Sequence, residues 1–590
     1  MKTKYLSLLL CGAFAVSAQA TGESTVSKTD VLGRHVSSVR NTPKAYVKDV
    51  KKQMNQKSDV DKPKTLARVI YHPYDVSIRT TYGAFEHRNG RRWYALDNQE
   101  NLTESQYLSQ INHIEDTDAA RIDYTSRMDM QYINNHNADL YEIPNVGNTK
   151  CVGQESCTVT AGSSTAKNGV LSITYWNYNT VKNNSNLVAQ TDQLGYRGNG
   201  IGIAMTEGGL PMVEYNHAPS DRFVILHNEE NSGHIAHATN TARVLNNVAK
   251  GATVYGIQRL CYDETLLPLP VDGYARTPKI YIGNHSYGCS EGSVYKEVSQ
   301  KIDDYIYHTR TIEFASAANN GEKSNEMSDV GMGVNVITVG AVRNTLNYHT
   351  TSTWKNPSFT NDGGTYVKPE VANFSDLLFP ELGYAYVAKD GKGELIAPYH
   401  SLTSSASPYT AASVALLLSR FPFYKWHPEV VKALLITSSV KPVQNAEQHD
   451  KDNVDYNVAM GIPDGNAMFE KNRSRFWNGN NEDFFDSGDQ ITVTETNIKP
   501  NKKYRVAIAW LSSGSYVYGA GKLPQDLDLY VYQNGEIRGR SNSWNNSFES
   551  IEFESNSDRP VTISISRYRN DGGRVLLGYN FVELPTEYQD

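Results

Sequence analysis

The sequence predicts an α/β domain with a doubly wound, mostly parallel sheet, followed by an antiparallel β-sandwich domain. Two patterns carry this prediction. From about residue 195 to residue 440, apolar runs of strand length alternate with helical stretches, which is typical of a parallel sheet covered on both faces. From about residue 488 the pattern has period 2, with turn residues between the runs, as in a sandwich of about 100 residues.

The elements of the α/β region follow one another in a regular order. The predicted strands are Ile201–Met205, Phe223–Leu226, Thr253–Ile257, Lys279–Gly283, Thr311–Ser316 and Val336–Gly340. The predicted helices are His234–Val248, Val294–Tyr307, Ala411–Leu418 and one that begins at Pro428. Functional residues in such sheets lie at the carboxyl ends of the strands.

The N-terminus has the pattern of a secretory signal. Lys2 and Lys4 precede a short apolar run, and Ala18-Gln-Ala20 provides a small-residue cleavage site. A lipoprotein signal through Cys11 is the weaker alternative, because bulky Leu10 precedes the cysteine. We therefore expect an exported protein, periplasmic or secreted, without a membrane span.

Charge argues against nucleic acid as a partner. Cleavage after residue 20 changes the formal net charge from −7 to −9, because Lys2 and Lys4 leave with the signal. A negative chain lacks the basic surface that binds phosphates. We expect a monomer that acts on proteins or peptides.

Four cysteines remain after removal of the signal, an even number that suggests disulfides in an exported chain. We favour the local pairs Cys151 with Cys157 and Cys261 with Cys289. The two other connectivities and free buried thiols remain open.

A serine nucleophile is indicated by Leu402-Thr-Ser-Ser-Ala-Ser-Pro408, which opens an apolar helix. A hydroxyl at a helix N-terminus sits in a positive backbone field that favours an oxyanion. Serine also needs a base and an orienting carboxylate. His234, at a predicted helix start, is the candidate base, and Glu207, after the first strand, is the candidate acid. Asp221 precedes a strand and ranks below Glu207.

Two further predictions concern residues near these candidates. His237 lies one turn after His234, so the pair could bind metal or be structural, but no glutamate follows the first histidine as in H-E-x-x-H. Asn320, where the strand 311–316 gives way to small residues, is the candidate oxyanion donor.

These segments together resemble the subtilisin-like serine proteases, the subtilases. That family carries Asp-x-Gly, His-Gly-Thr-His, Ala-Ala-Gly-Asn and Gly-Thr-Ser-x-Ala-x-Pro in this order. The corresponding segments here are Glu207-Gly-Gly209, His234-Ile-Ala-His237, Ala317-Ala-Asn-Asn320 and Leu402-Thr-Ser-Ser-Ala-Ser-Pro408. The resemblance covers roughly residues 190–475.

The resemblance implies a subtilisin-like fold and a serine endopeptidase. Ser404 would be the nucleophile, His234 the base, Glu207 the acid and Asn320 the oxyanion donor. The substrate cleft would be lined by Ser286, Tyr287, Gly288, Ala317, Ala318 and Asn319. This chemistry requires no cofactor.

The chain departs from the family at several motif positions. Glu replaces Asp at 207, Leu402 replaces Gly, Ile235-Ala236 replace Gly-Thr, and Asn319 replaces Gly. A catalytically impaired relative that binds peptides or proteins is therefore the alternative function.

The predicted domain organisation has four parts. Residues 1–20 are the signal, 21–190 an N-terminal extension or propeptide, 191–475 the catalytic domain and 485–590 the β-sandwich, which resembles the module that follows several secreted bacterial subtilases. In the sandwich, Asp526 and Asp528 share one strand face and are weak candidates for a structural calcium. Solvated edge carboxylates are the alternative.

Overall fold

The computed structural model describes residues 25–29, 35–39, 70–71, 84–87, 94–95, 140–141, 156–161, 171–211, 223–227, 236–258, 280–288, 290–321, 326–344, 352–353, 356–378, 387–389, 395–396, 399–440, 460–469, 473–479, 490–571 and 575–585. The chain divides into two compact units. One comprises residues 1–137 with 223–226, and the other residues 138–222 with 227–590.

Short strands make up what is described of the first unit. Thr25–Thr29 pairs antiparallel with His35–Val39. Ala84–His87 pairs parallel with Ile70–Tyr71 and antiparallel with Tyr94–Ala95. Phe223–His227 is also a strand.

The second unit contains a six-stranded parallel sheet. Its strands are β1 (Gly202–Glu207), β2 (Thr253–Gln258), β3 (Ile280–His285), β4 (Ile312–Ser316), β5 (Ile337–Val342) and β6 (Val371–Phe374). The strand order is β2-β1-β3-β4-β5-β6, and neighbouring strands are parallel throughout. The predicted parallel sheet is confirmed, with the ends of β1 to β5 shifted by at most two residues and with β6 as an additional strand.

Four helices accompany this sheet: α1 (Ala236–Val248), α2 (Glu297–Thr309), α3 (Thr403–Arg420) and α4 (Pro428–Ser438). Every residue of α3 from Thr403 to Leu418 is buried, as its apolar sequence predicts. Helix α3 contacts β3, β4, β5, β6 and α1, so its N-terminus lies close to several strand ends.

The predicted β-sandwich is also confirmed. Its strands are β7 (Arg475–Gly479), β8 (Gln490–Glu495), β9 (Lys503–Leu511), β10 (Gln525–Gln533), β11 (Glu536–Ser541), β12 (Phe548–Glu554), β13 (Val561–Asn570) and β14 (Val575–Glu583). They form two antiparallel sheets, ordered β7-β14-β9-β12 and β8-β13-β10-β11. Tyr504, Trp510 and Tyr579 are fully buried, and they belong to a core shared by both sheets.

Shorter elements complete the second unit. They are the strands Leu140–Tyr141, Ser156–Ala161, Leu171–Asn177, Glu291–Gly292, Met327–Ser328, Leu377–Leu378, Val387–Lys389, Leu395–Ile396 and Tyr399–His400, and the helices Tyr178–Asn184, Ala189–Gln193, Pro422–Tyr424, Gly465–Phe469 and Gly514–Ala520. Leu171–Asn177 pairs with Leu377–Leu378, so part of the predicted extension 21–190 joins a sheet with residues from the catalytic region. The boundary at 190 stays a prediction.

In the described part of the chain, every helix is too short or too polar to cross a lipid bilayer.

Candidate active site

Three neighbouring strands bring the candidate residues to one edge of the sheet. Glu207 is the last residue of β1, Ser286 follows β3, and Ala317 follows β4. Because β1, β3 and β4 are adjacent and parallel, their carboxyl ends lie side by side.

Glu207 forms a hydrogen-bonded pair with His237. The Glu207 Oε2 atom lies 3.1 Å from His237 Nδ1. The glutamate side chain is 1% exposed and the histidine side chain 33% exposed. A carboxylate that holds Nδ1 orients the ring and leaves Nε2 for a second partner, which is the arrangement of an acid–base pair in nucleophilic catalysis.

The partner of Glu207 is thus His237, whereas His234 was the predicted base. His234 lies outside the described residues. Helix α1 begins at Ala236, so His237 is the histidine in its first turn. A signal for this was available in the sequence: His237-Ala-Thr239 matches His-Gly-Thr with one small substitution, whereas His234-Ile-Ala236 needs two.

Ser404 lies at the second position of α3 and is 8% exposed. Its hydroxyl donates to the Ser286 carbonyl at 3.3 Å, and the Ser286 hydroxyl donates to the Ser404 carbonyl at 3.2 Å. The second bond has a local cause, because the helical partner of that carbonyl would be the N–H of residue 408, which is proline. Ser286, predicted to line the cleft, therefore also fixes the backbone of the nucleophile candidate.

The two adjacent asparagines point in different directions. Asn320 donates its amide to Glu291 Oε2 at 2.6 Å and to the Glu326 carbonyl at 3.1 Å. The Asn319 Oδ1 atom instead accepts from the Thr403 N–H at 3.2 Å and from the Thr403 hydroxyl at 2.8 Å. Asn319 is therefore the amide beside the nucleophile candidate, which corrects the prediction made for Asn320.

The reason for this shift is the backbone of Ala318, whose φ is +85°. A positive φ is the conformation for which glycine is normally used. The Gly of Ala-Ala-Gly-Asn thus corresponds to Ala318, and the Asn to Asn319. The sequence prediction aligns Asn319 with the glycine and Asn320 with the asparagine of that motif.

Leu402 has a similar conformation, with φ of +59° and ψ of −159°, a region that is almost restricted to glycine. Its position two residues before Ser404 is the one that carries glycine in the family motif. Of the other residues predicted to line the cleft, Tyr287 is half-buried, Gly288 is exposed, and Ala317 is buried, and their role stays a prediction.

The predicted disulfide residues have no described side chains, and the candidate metal residues lie in the sandwich. Cys151, Cys261 and Cys289 fall outside the described residues, and Cys157 lies in the strand Ser156–Ala161 without a described side chain. Asp526 is buried and Asp528 half-buried on one face of β10. Burial raises the pKa of Asp526 to about 6, and nearby Asp528 adds to the shift while Arg569 opposes it. In the described ranges, no three His, Cys, Asp or Glu side chains are grouped as metal ligands would be.

A parallel α/β sheet with an acid–histidine pair and a serine at the start of a buried helix defines a serine-type peptidase of subtilisin-like fold. Residues 215–461 match the model of the subtilase family, peptidase S8. Over this segment the chain is similar to the subtilase family.

The chain is also similar to solved structures of proteases. The complex of Aeromonas sobria serine protease with its chaperone is 12% identical, with 66% of this chain and 88% of that chain covered and a TM-score of 0.34. A cold adapted subtilisin-like serine proteinase is 16% identical, with 46% and 88% covered and a TM-score of 0.30. The epidermin leader peptide processing serine protease of Staphylococcus aureus is 15% identical, with 53% and 85% covered and a TM-score of 0.36. No curated protein sequence matches the chain.

Proposed function

We propose that the protein is an exported serine endopeptidase that uses Glu207, His237 and Ser404 as its catalytic triad. The observation that carries the proposal is the 3.1 Å contact between Glu207 Oε2 and His237 Nδ1. It lies at the same end of the parallel sheet as Ser286, whose carbonyl accepts a hydrogen bond from the Ser404 hydroxyl. The substrates are proteins or peptides.

The chemistry follows from these groups. The Ser404 hydroxyl attacks the peptide carbonyl carbon while His237 Nε2 takes its proton. Glu207 holds Nδ1 and stabilises the imidazolium. His237 then gives the proton to the leaving amine, the C–N bond breaks, and an acyl-enzyme forms. Water, activated by the same histidine, hydrolyses that ester and restores the serine.

Asn319 is suited to stabilise the oxyanion of the tetrahedral intermediate. Its Oδ1 atom accepts two hydrogen bonds from Thr403, which fixes the orientation of the amide and leaves Nδ2 as the donor. The Ser404 N–H, at the N-terminus of α3, is the natural second donor, because first-turn amides have no partner within the helix.

Labelling with a fluorophosphonate probe tests the nucleophile. We expect the purified protein to be labelled and Ser404→Ala to abolish both labelling and peptide hydrolysis. Lack of labelling in a folded wild-type protein would favour the alternative function, an impaired subtilase that binds peptides. The observation that supports this alternative is a leucine at position 402, in a backbone conformation that is almost restricted to glycine.

The two histidines provide a matched pair of variants. We expect His237→Ala to lose hydrolysis by at least about 10³-fold, as for removal of a triad base, and His234→Ala to keep most of it. The reverse result would return the role of base to His234.

The two asparagines provide a second pair. Asn319→Ala should lower kcat by about 10²–10³, the size known for this donor in subtilisin, with little change in KM. Asn320→Ala, which removes only contacts with Glu291 and Glu326, should leave kcat nearly unchanged. Equal effects of the two variants would contradict the assignment.

Export is supported by the pattern of the first 20 residues. Expression with the native N-terminus in a bacterial host, followed by mass spectrometry, should give a mature chain that begins at Thr21 or later. A chain that keeps Met1 inside the cell would contradict export. The same measurement decides whether residues 21–190 are removed.

A further inference from the structure

His400 is a buried histidine near the active site to which the triad gives no role. It ends the short strand Tyr399–His400, pairs with Leu377, and is 7% exposed. It lies four residues before Ser404. A buried imidazole beside a catalytic base requires a physical explanation, because desolvating a polar ring is unfavourable unless its nitrogens are hydrogen-bonded.

The ring of His400 packs against the ring of His237. Their centroids are 5.1 Å apart and their planes meet at 77°, an edge-to-face contact. The Nε2 atom of His400 lies 3.2 Å from the hydroxyl of Thr241, one turn after His237 on α1. His400 therefore contacts both the base and the helix that carries it.

His400 also forms a hydrogen bond with the backbone of Ser404. A ring N–H can donate only to the carbonyl there, and this is the carbonyl that Pro408 leaves without a helical donor. The Ser286 hydroxyl donates to the same oxygen at 3.2 Å. The helical hydrogen bond that Pro408 cannot donate is thus replaced by bonds from the side chains of Ser286 and His400. His400 also contacts the catalytic base.

The protonation state of His400 fits these partners. Burial, followed by the proximity of His237, holds the pKa of His400 well below its usual range, so the ring is neutral at neutral pH. A neutral ring carries one N–H, which donates to the Ser404 carbonyl, and Nε2 then accepts from the Thr241 hydroxyl. The other titratable groups close to this region are Glu207, behind His237, and Asp376, which precedes the strand partner Leu377.

We propose that His400 is a positioning residue that joins the helix of the catalytic base to the backbone of the nucleophile. It packs edge-to-face against the His237 ring and fixes the Ser404 carbonyl, so that base and serine keep one relative position. This inference rests on the proposed triad, and it assigns a role to a fourth side chain, which is not a member of the triad.

The variants for a test are His400→Phe, which keeps a ring but no nitrogen, and Thr241→Val, which removes one of the two hydrogen bonds. Thr241→Ser keeps the hydroxyl and is the matched control. We expect His400→Phe to lower kcat by about 10–100-fold with KM within about twofold, because misplacement of a base affects the chemical step. Thr241→Val should show a smaller loss in kcat, and Thr241→Ser should resemble the wild type.

The pH profile and NMR separate positioning from a merely structural role. In His400→Phe, the acid limb of the pH profile of kcat/KM should shift, because this limb reports the pKa of the catalytic base in the free enzyme. In ¹⁵N-histidine-labelled protein, the His237 Nδ1 proton bound to Glu207 should shift or broaden in His400→Phe and stay in place in Thr241→Ser. If His400→Phe fails to fold, the same measurements on Thr241→Val test whether His400 positions the base.

Three results would overturn the inference: an unchanged kcat, a loss confined to KM, or an unchanged His237 signal. Failure of the proposed function is recognised separately, because the wild type would then not react with the fluorophosphonate. The NMR comparison needs no activity, so it tests the contact of the two rings even in that case.

Discussion

Ala318 and Leu402 stand where the subtilase motifs carry glycine, and both keep a positive φ. The backbone beside the nucleophile thus has the conformation that glycine normally adopts. Here alanine and leucine adopt it, although it is unfavourable for both. Such conformations cost on the order of 1–3 kcal/mol each and persist only where the surroundings enforce them. At Leu402 the Asp376 carboxylate accepts from the N–H at 3.4 Å, and the buried helix α3 begins directly afterwards.

Substitution of Leu402 measures this strain. Leu402→Gly and Leu402→Ala both delete the side chain, but only glycine relieves the positive φ, so the glycine variant should be more stable by about 1 kcal/mol. The free energy of unfolding in urea is the measurement. An alanine variant as stable as the glycine variant would show that the loop carries no strain there.

Two site assignments differ between sequence and structure because each residue has a neighbour of the same type. His234 and His237 both lie near the start of α1, and Asn319 and Asn320 both follow β4. Which histidine pairs with Glu207 and which asparagine contacts Thr403 depends on where α1 begins and on which residue takes a positive φ. Ser404 and Glu207 were found because each is marked by its place at a helix start or a strand end.

At the scale of elements, α4 and β14 show why the catalytic part and the sandwich behave as one unit. A Cβ atom on Gly578 of β14 would lie 2.3 Å from the carbonyl carbon of Glu429 and 2.5 Å from the nitrogen of Val430, both in α4. The strand backbone therefore packs directly on the first turn of the helix. Arg505 of β9 adds a hydrogen bond to the Ser439 carbonyl at 2.7 Å, just after α4.

Gly578→Ala should therefore be strongly destabilising, by about 2–4 kcal/mol, because backbone cannot move aside as a flexible side chain can. Gly519→Ala is the control, since a Cβ there meets nothing within 4 Å in a short helix of the same domain. Thermal unfolding of both variants is the measurement. Similar melting temperatures for the two variants would mean that α4 and β14 separate at little cost.

The sequence pattern predicted α4 and the presence of a β-sandwich, but neither β14 itself nor its packing on α4. Strands and helices follow from local alternation, and parallel pairing follows from their order along the chain. Contacts such as that between Gly578 and Glu429 join residues far apart in sequence, and no local pattern encodes them. The short strands near residues 377 and 400 were missed because two residues show no periodicity.

At the scale of the whole molecule, a buried polar network links the parallel sheet to the sandwich. Glu370 Oε1 lies 2.6 Å from both Lys368 Nζ and Lys432 Nζ. Asp303 accepts from the N–H groups of Val334 and Asn335 and from the Tyr295 hydroxyl. Asn335 in turn donates to the Ser512 carbonyl at 2.7 Å, at the end of β9. Charges buried this deeply are tolerated only when paired and hydrogen-bonded.

The network predicts a pH dependence of stability. Burial raises the pKa of Asp303 from 3.8 to about 7, with hydrogen bonds from Asn335 opposing the shift. Between those values the native state binds a proton that the unfolded chain does not, so this carboxyl lowers stability as pH rises, by up to about 1.4 kcal/mol per unit.

Asp303→Asn should remove that contribution and flatten the fall in stability between pH 4 and 7. Urea unfolding of both proteins across this range is the measurement, and contributions from other groups cancel in the comparison. Parallel curves would mean that Asp303 stays ionised in the native state.

The pairing of β7 with β14 has a consequence for synthesis of the chain. Residues 475–479 are the first strand of the sandwich and find their partner only in residues 575–579. During translation, α4 therefore leaves the ribosome long before the strand that covers it. The face of α4 that packs on β14 has no cover until that strand emerges. The catalytic region is thus completed by a strand that is made much later, and a chain that stops before residue 575 would have an unprotected core.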